Sequence, residues 1–208
     1  MSEPVGARRP RRRRGTREET EQELFRAVLN LLERDGVLSG FTLREVAKEA
    51  GVNHGQIYQY FGTRRALLRA AISYLVERRR PEPESYWGQP FPERRLAMWR
   101  LALDNPELIR LESLLALDGD DELRMFPELA RTRAALDRDC DTGVLPSDAD
   151  GEVMHALTAA TYLGYCVFRE AFARDLGIPV DELDGRAAAV YERMVSGLAA
   201  DEGTASGD

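Results

Sequence analysis

The chain has 208 residues, 43% hydrophobic and 31% charged, enough for a sizeable core and too apolar for wholesale disorder. No apolar run approaches the roughly 18 residues a membrane helix needs and nothing reads as a secretory leader, so a soluble, cytoplasmic protein is expected. The net charge of −7 conceals a split: residues 1–80 hold 17 lysines and arginines against 10 acidic residues, and the remainder holds 12 against 26. A basic head on an acidic body points to a polyanionic partner for the head alone. Cys140 and Cys166 lack CxxC spacing and are expected as free thiols in a reducing compartment.

In chain order, residues 1–15 contain "RRPRRRRG", which repels itself and buries nothing. A disordered basic arm suited to phosphate or groove contacts is expected there. From Glu18 the pattern turns helical, with Leu24, Phe25, Val28, Leu31 and Leu32 on one stripe as far as Gly36. Thr42 and Glu45 have the spacing of a capping box, followed by Val46, Ala47 and Ala50 as a buried face and Gly51 as a left-handed stop. Asn53 is expected to cap a third helix with Gln56 in the box position, and Thr63 a fourth that runs to about Arg80.

The proline-rich stretch 81–92 reads as a connection. Further helices are expected at roughly 92–104, 106–117, 127–141, 149–176 and 181–200, with breaks at Pro106, Gly119, Gly143/Pro146 and Gly177/Pro179. No period-2 run appears, so the fold class is all-α with eight to nine helices. The expected domains are a three-helix helix-turn-helix unit at 16–62, a connecting helix at 63–80, a helical body at 81–200 and a flexible tail at 201–208.

The stretch 42–61 carries the functional signal. Two short helices separated by "AGVN" form a helix-turn-helix, in which the first braces the second and the second enters a major groove. With Ile57 at the centre of the buried face, Gly55, Gln56, Tyr58 and Gln59 point outward and His54 and Tyr60 lie on the flanks. Glutamine can bind adenine through two hydrogen bonds, glycine permits close approach, and tyrosine hydroxyls suit phosphates. Arg64 and Arg65 begin the next helix, where the dipole disfavours cations by about 0.3–1 kcal/mol. A phosphate seated at that N-terminus would reverse the sign.

"FTLREVAKEAGVNHGQIYQYFGTRRALLRAAI", residues 41–72, resembles the DNA-binding signature of the TetR family of transcriptional regulators. Thr42, Val46, Ala47, Ala50, Gly51, Val52, Asn53, Gly55, Ile57, Tyr58, Tyr60, Phe61, Thr63, Arg64, Leu67 and Leu68 match its pattern. Arg64 replaces the usual lysine, and Arg65 stands where an acid is common. The resemblance implies phosphate contacts from Thr42, Tyr58, Tyr60 and Arg64, and base contacts from Arg44, His54 and Gln56, with Gln59 a further candidate. Asn53, Gly55, Thr63 and Arg65 complete the expected DNA-binding set.

The resemblance also implies a double-stranded operator as partner, a homodimer, and a helical body that takes a small apolar or amphipathic effector. Repression relieved by that effector is the expected function. The second half resembles the family in architecture, not in motif. Ala156, Ala160 and Gly164 recur every four residues, a smooth strip for close packing, and Tyr191, Met194, Val195 and Leu198 line one side of the last helix. These seven are the candidate dimer interface. Trp87, Met98, Trp99, Met125, Phe126, Met154, Tyr162 and Cys166 are the candidate effector pocket, being aromatic or adaptable.

His155 lacks a ligand-spaced partner, "DGDDE" at 118–122 lacks the spacing of a calcium loop, and no metal or cofactor is expected. Without a Gly-rich phosphate loop, HExxH or nucleophile elbow, no catalytic residue is assigned and no enzyme is expected. The runner-up is a helical interaction or lipid-binding protein whose arm docks on anionic membrane.

Overall fold

A computed structural model describes residues 16–36, 40–79 and 83–199, so the basic arm at 1–15 and the tail at 201–208 lie outside the described residues. The described residues form ten helices and no strand: α1 Arg17–Asp35, α2 Leu43–Ala50, α3 His54–Phe61, α4 Arg64–Arg79, α5 Pro83–Trp87, α6 Phe91–Leu103, α7 Pro106–Leu117, α8 Leu129–Asp141, α9 Gly151–Leu176 and α10 Val180–Ser196. The expected all-α class is observed. The stretch read as a connection at 81–92 contains α5, opened by a proline at a position whose missing N–H costs nothing.

The described residues divide into two compact units, one up to Leu67 and the other from Leu68. The first unit is built from local signals. Thr16 and Thr42 each close a capping box, with Glu19 and Glu45 respectively. Gly51 ends α2 at φ +67°, a conformation that a side chain would strain. Between these stops, α1 packs on α2 and α2 on α3. Leu24, Val28, Val46 and Ile57 are fully buried, each worth about 1.5–3 kcal/mol of transfer free energy.

In the second unit α6 packs against α9 and α10. Trp99 stacks on Tyr165 at 5.0 Å and on Tyr191 at 4.5 Å between ring centroids. Tyr191 is buried and donates its hydroxyl to the Thr158 carbonyl. A smaller cluster joins Phe91, Leu136 and Leu145, against which Met154 and Leu198 pack. Cys140 and Cys166 are free thiols, and burial pushes Cys166 up to about 11.

The 118–122 turn differs from a merely solvated one. Asp120 is buried, accepts from the Glu122 and Leu123 N–H groups, and pairs with Arg69 at 2.7 Å. Burial alone would raise its pKa, but Arg69 and the two backbone donors outweigh that and hold it low.

Candidate functional site

α3 is short and carries no carboxylate, in a chain rich in them. Ile57 is fully buried, which orients the rest of the helix. His54, Gly55, Tyr58 and Gln59 are exposed, and the exposed Arg44 lies on α2. Gln56 and Tyr60 are half-buried. At 100° per residue Gly55 and Gln59 lie nearly opposite Ile57, whereas Gln56 and Tyr58 sit about 100° to either side. Gln56 is therefore a half-buried flank residue, whereas the sequence reading set it outward with Gly55, Tyr58 and Gln59.

Asn53 caps α3, but its Oδ1 accepts from the Gly55 N–H at 2.7 Å, and no capping box with Gln56 forms. The Tyr58 ring meets His54 edge-on at 4.8 Å, and the Arg17 guanidinium covers Tyr60 at 5.3 Å. Thr42 donates its hydroxyl to Glu45 at 2.9 Å and receives the Glu45 N–H at 3.2 Å. Hydrogen bonds from the Thr42 backbone, then its side chain, hold the Glu45 carboxyl below the usual carboxylate range.

Thr63 caps α4 through the Ala66 N–H at 3.1 Å. Arg65 is exposed. Arg64 is half-buried, with its guanidinium 4.7 Å from the Phe41 ring centroid and its Nε buried without a hydrogen bond. At Gly40, whose φ is +64°, a Cβ would stand 3.5 Å from that guanidinium. The cation's conflict with the α4 dipole is thus partly offset within the chain, by a stack worth about 0.5–1 kcal/mol. The sequence-based account invoked a phosphate alone.

The second unit holds a cavity of about 190 Å³. Trp87, Met98, Met125, Phe126 and Tyr162 of the expected set line it. Trp99, Met154 and Cys166 do not: Trp99 and Cys166 are buried in the α6–α9–α10 core, and Met154 packs toward Phe91 and Leu136. Sequence reasoning missed Tyr86, Arg95, Glu112 and His155 on the wall. Arg95 was findable, because it shares a helical face with Phe91, Met98, Trp99 and Ala102, where a charge is out of place.

Of the expected dimer residues, Tyr191 and Val195 are buried within their own chain and Leu198 is half-buried. Ala156 and Ala160 are exposed, as is Met194, while Gly164 is half-buried. They share the α9–α10 surface with large apolar side chains that sequence reasoning passed over: Val153, Leu157, Val167, Phe168, Phe172 and Val190, all exposed.

Burial pushes the Glu112 carboxyl up to about 7, from an ordinary 4.5. Burial, then the charges of Arg95 and Arg94, push the His155 imidazole down to about 3, from 6.5. Between pH 4.5 and 7 native Glu112 keeps a proton that the unfolded chain releases, so its contribution is largest in acid and declines as pH rises through 7. His155 stays neutral where the unfolded chain would protonate it, so its contribution is present above pH 6.5 and is lost toward pH 3. The two oppose one another between 4.5 and 6.5. Glu112→Gln leaves only the histidine effect, and thermal melts from pH 6.5 down to 4.5 are expected to fall more steeply than those of the unaltered protein. Parallel curves would contradict the buried, protonated carboxyl.

Residues 24–71 match the family model described as bacterial regulatory proteins, tetR family. The chain carries a TetR-family N-terminal domain. Solved structures resemble it over most of its length. A TetR family transcription regulator from Marinobacter aquaeolei VT8 is 15% identical, with a TM-score of 0.61, covering 89% of this chain and 97% of that one. Salmonella enterica GusR is 18% identical at TM-score 0.59, covering 90% and 98%. The TetR-family regulator HI0893 of Haemophilus influenzae RD is 18% identical at TM-score 0.52, covering 86% and 98%. At these identities the likeness is one of fold, and the TetR-family match itself rests on the helix-turn-helix. No curated protein matches the chain. Among the described residues no helix is long and apolar enough to cross a membrane, and no cluster of His, Cys, Asp or Glu is arranged to hold a metal ion.

Proposed function

We propose that this protein is a cytoplasmic, sequence-specific DNA-binding regulator that occupies a palindromic operator as a homodimer, represses from there, and is released when a small molecule fills the cavity. The observation that carries the reading is the outward surface of α3, where amides, an imidazole and hydroxyls are presented by a short helix free of carboxylates. Arg44, His54, Gln56 and Gln59 are the base-reading candidates, with Gly55 allowing close approach. Thr42, Asn53, Tyr58, Tyr60, Thr63, Arg64 and Arg65 surround them as backbone-positioning candidates. α4 is one continuous helix that begins with Arg64 and carries Val76 on the cavity wall, which supports coupling between ligand and operator.

The test is fluorescence polarisation with a labelled palindrome from upstream of the coding region. Affinity is expected to fall with salt at a log–log slope of about −0.9 per phosphate contacted, with two chains bound per palindrome. Equal, weak binding to operator and scrambled DNA, together with tight binding to anionic vesicles, would overturn the reading in favour of a membrane-docking protein.

A further inference from the structure

Arg94 and Arg95 are consecutive, and each is only 2% exposed. A buried guanidinium is costly unless a counter-charge and hydrogen bonds compensate it. Arg94 has both: Asp139 lies 2.8 Å away, itself buried and shared with Arg138, and the Gln89 carbonyl accepts at 2.6 Å. Among the described residues, no carboxylate lies within ion-pair distance of Arg95. One of its nitrogens donates to the Tyr86 hydroxyl at 2.9 Å, and its Nε and Nη1 make no hydrogen bond.

The Arg95 side chain forms part of the cavity wall. Most of the rest is apolar, including Val76, Met98, Leu101, Leu108, Ile109 and Phe126. The cavity is slightly larger than an engineered one of roughly 150 Å³ that takes up benzene, so its volume of about 190 Å³ suits one ring or a short chain bearing a small polar head.

We propose that the cavity binds a small carboxylate with an apolar body of about one ring, its charge paired with the unsatisfied guanidinium of Arg95. This rests on the effector reading above and names the ligand class. The other ionisable groups on the wall are Tyr86, Glu112, Glu128, Arg131, His155 and Tyr162. His155 is neutral at physiological pH, and burial pushes both Glu112 and Tyr162 toward their neutral forms. Arg131 has Glu128 3.7 Å away. Among the described residues, Arg95 is the wall cation that lacks an anion.

The experiment is calorimetric titration of the full chain with benzoate, phenylacetate and hexanoate, each against its neutral amide, followed by addition of the tightest binder to the operator complex. At least one acid is expected to bind ten-fold or more tightly than its amide, because hydrogen bonds to a charged partner are the stronger kind. In Arg95→Met, of similar length and without the buried charge, that ratio is expected to fall to about one. Amides binding as well as acids, an acid preference that survives Arg95→Met, or no binding by any acid at millimolar concentration would overturn the proposal. Should Arg95→Met fail to fold, the acid-to-amide ratio in the unaltered protein decides alone. An acid that binds with the expected preference but leaves operator affinity unchanged upholds the ligand class and removes the effector reading instead.

Discussion

Phe168→Glu is expected to convert the proposed dimer to a folded monomer. The large exposed apolar side chains of α9 include Val153, Leu157, Val167, Phe168, Phe172 and Leu176, and Phe168 and Phe172 pack as a pair at 5.9 Å. With Ala160 and Gly164 between them, positions 153, 157, 160, 164 and 167 follow a 4-3-4-3 spacing, the repeat of a helix seam that faces another helix. Val190 and Met194 extend the surface onto α10. A contiguous apolar face of this kind marks an interaction site, and helix pairs around a twofold axis would bury it.

Phe168 is 54% exposed in the single chain, so removing it leaves little of the chain's own core unfilled. In a twofold interface each substitution counts twice. Burying two unpaired carboxylates against apolar neighbours is expected to weaken association by at least about 3 kcal/mol, more than a hundred-fold. Sedimentation at micromolar concentration is expected to give the mass of one 23.4 kDa chain in place of two, with the helical circular dichroism retained. Operator affinity is expected to fall with it by about 10²–10⁴-fold, because the second half-site then binds without the benefit of linkage. A dimer that survives Phe168→Glu would place the interface on another surface.

The helix-turn-helix was legible because its determinants are local. The Thr42–Glu45 box, the left-handed Gly51 and the buried Ile57 each follow from a few neighbouring residues and from backbone sterics. Where a choice depended on which of two apolar neighbours faces which partner, periodicity alone did not decide. On α10, Val190 and Tyr191 are adjacent, as are Met194 and Val195; the first of each pair faces outward and the second is buried in its own chain. The same holds on α6, where Met98 lines the cavity and Trp99 enters the core beside it. Arg95 escaped notice because a charged residue next to another charge in "PERRLAM" reads as a solvated face. Its place on the apolar face of Phe91, Met98, Trp99 and Ala102 was the available signal, and α6 packs that face against α9 and α10. Gln56 was grouped with Gly55, Tyr58 and Gln59 on the outward face; it is half-buried, and the angle from Ile57 places Gln59 farther out.

On the proposed reading, the outward face of α3 reads base pairs while the start of α4 holds the backbone. Comparing Gln59→Ala with Arg64→Ala over a series of single-base operator variants at two salt concentrations separates the two roles. Gln59 is exposed and opposite the buried Ile57, so it is the side chain best placed to reach a base edge. Gln59→Ala is expected to lose about 1–3 kcal/mol per half-site on the preferred operator and less on variants altered at one base pair, which relaxes specificity there. Arg64→Ala is expected to weaken all variants alike and to make the salt slope shallower by about 1.8, one phosphate contact of about 0.9 lost from each of the two chains. Loss of its stack on Phe41 adds some destabilisation, but that leaves the slope unchanged and the two effects separable. A uniform loss for Gln59→Ala with an altered base preference for Arg64→Ala would reverse the roles, and no effect from either would place the DNA-binding surface elsewhere on the chain.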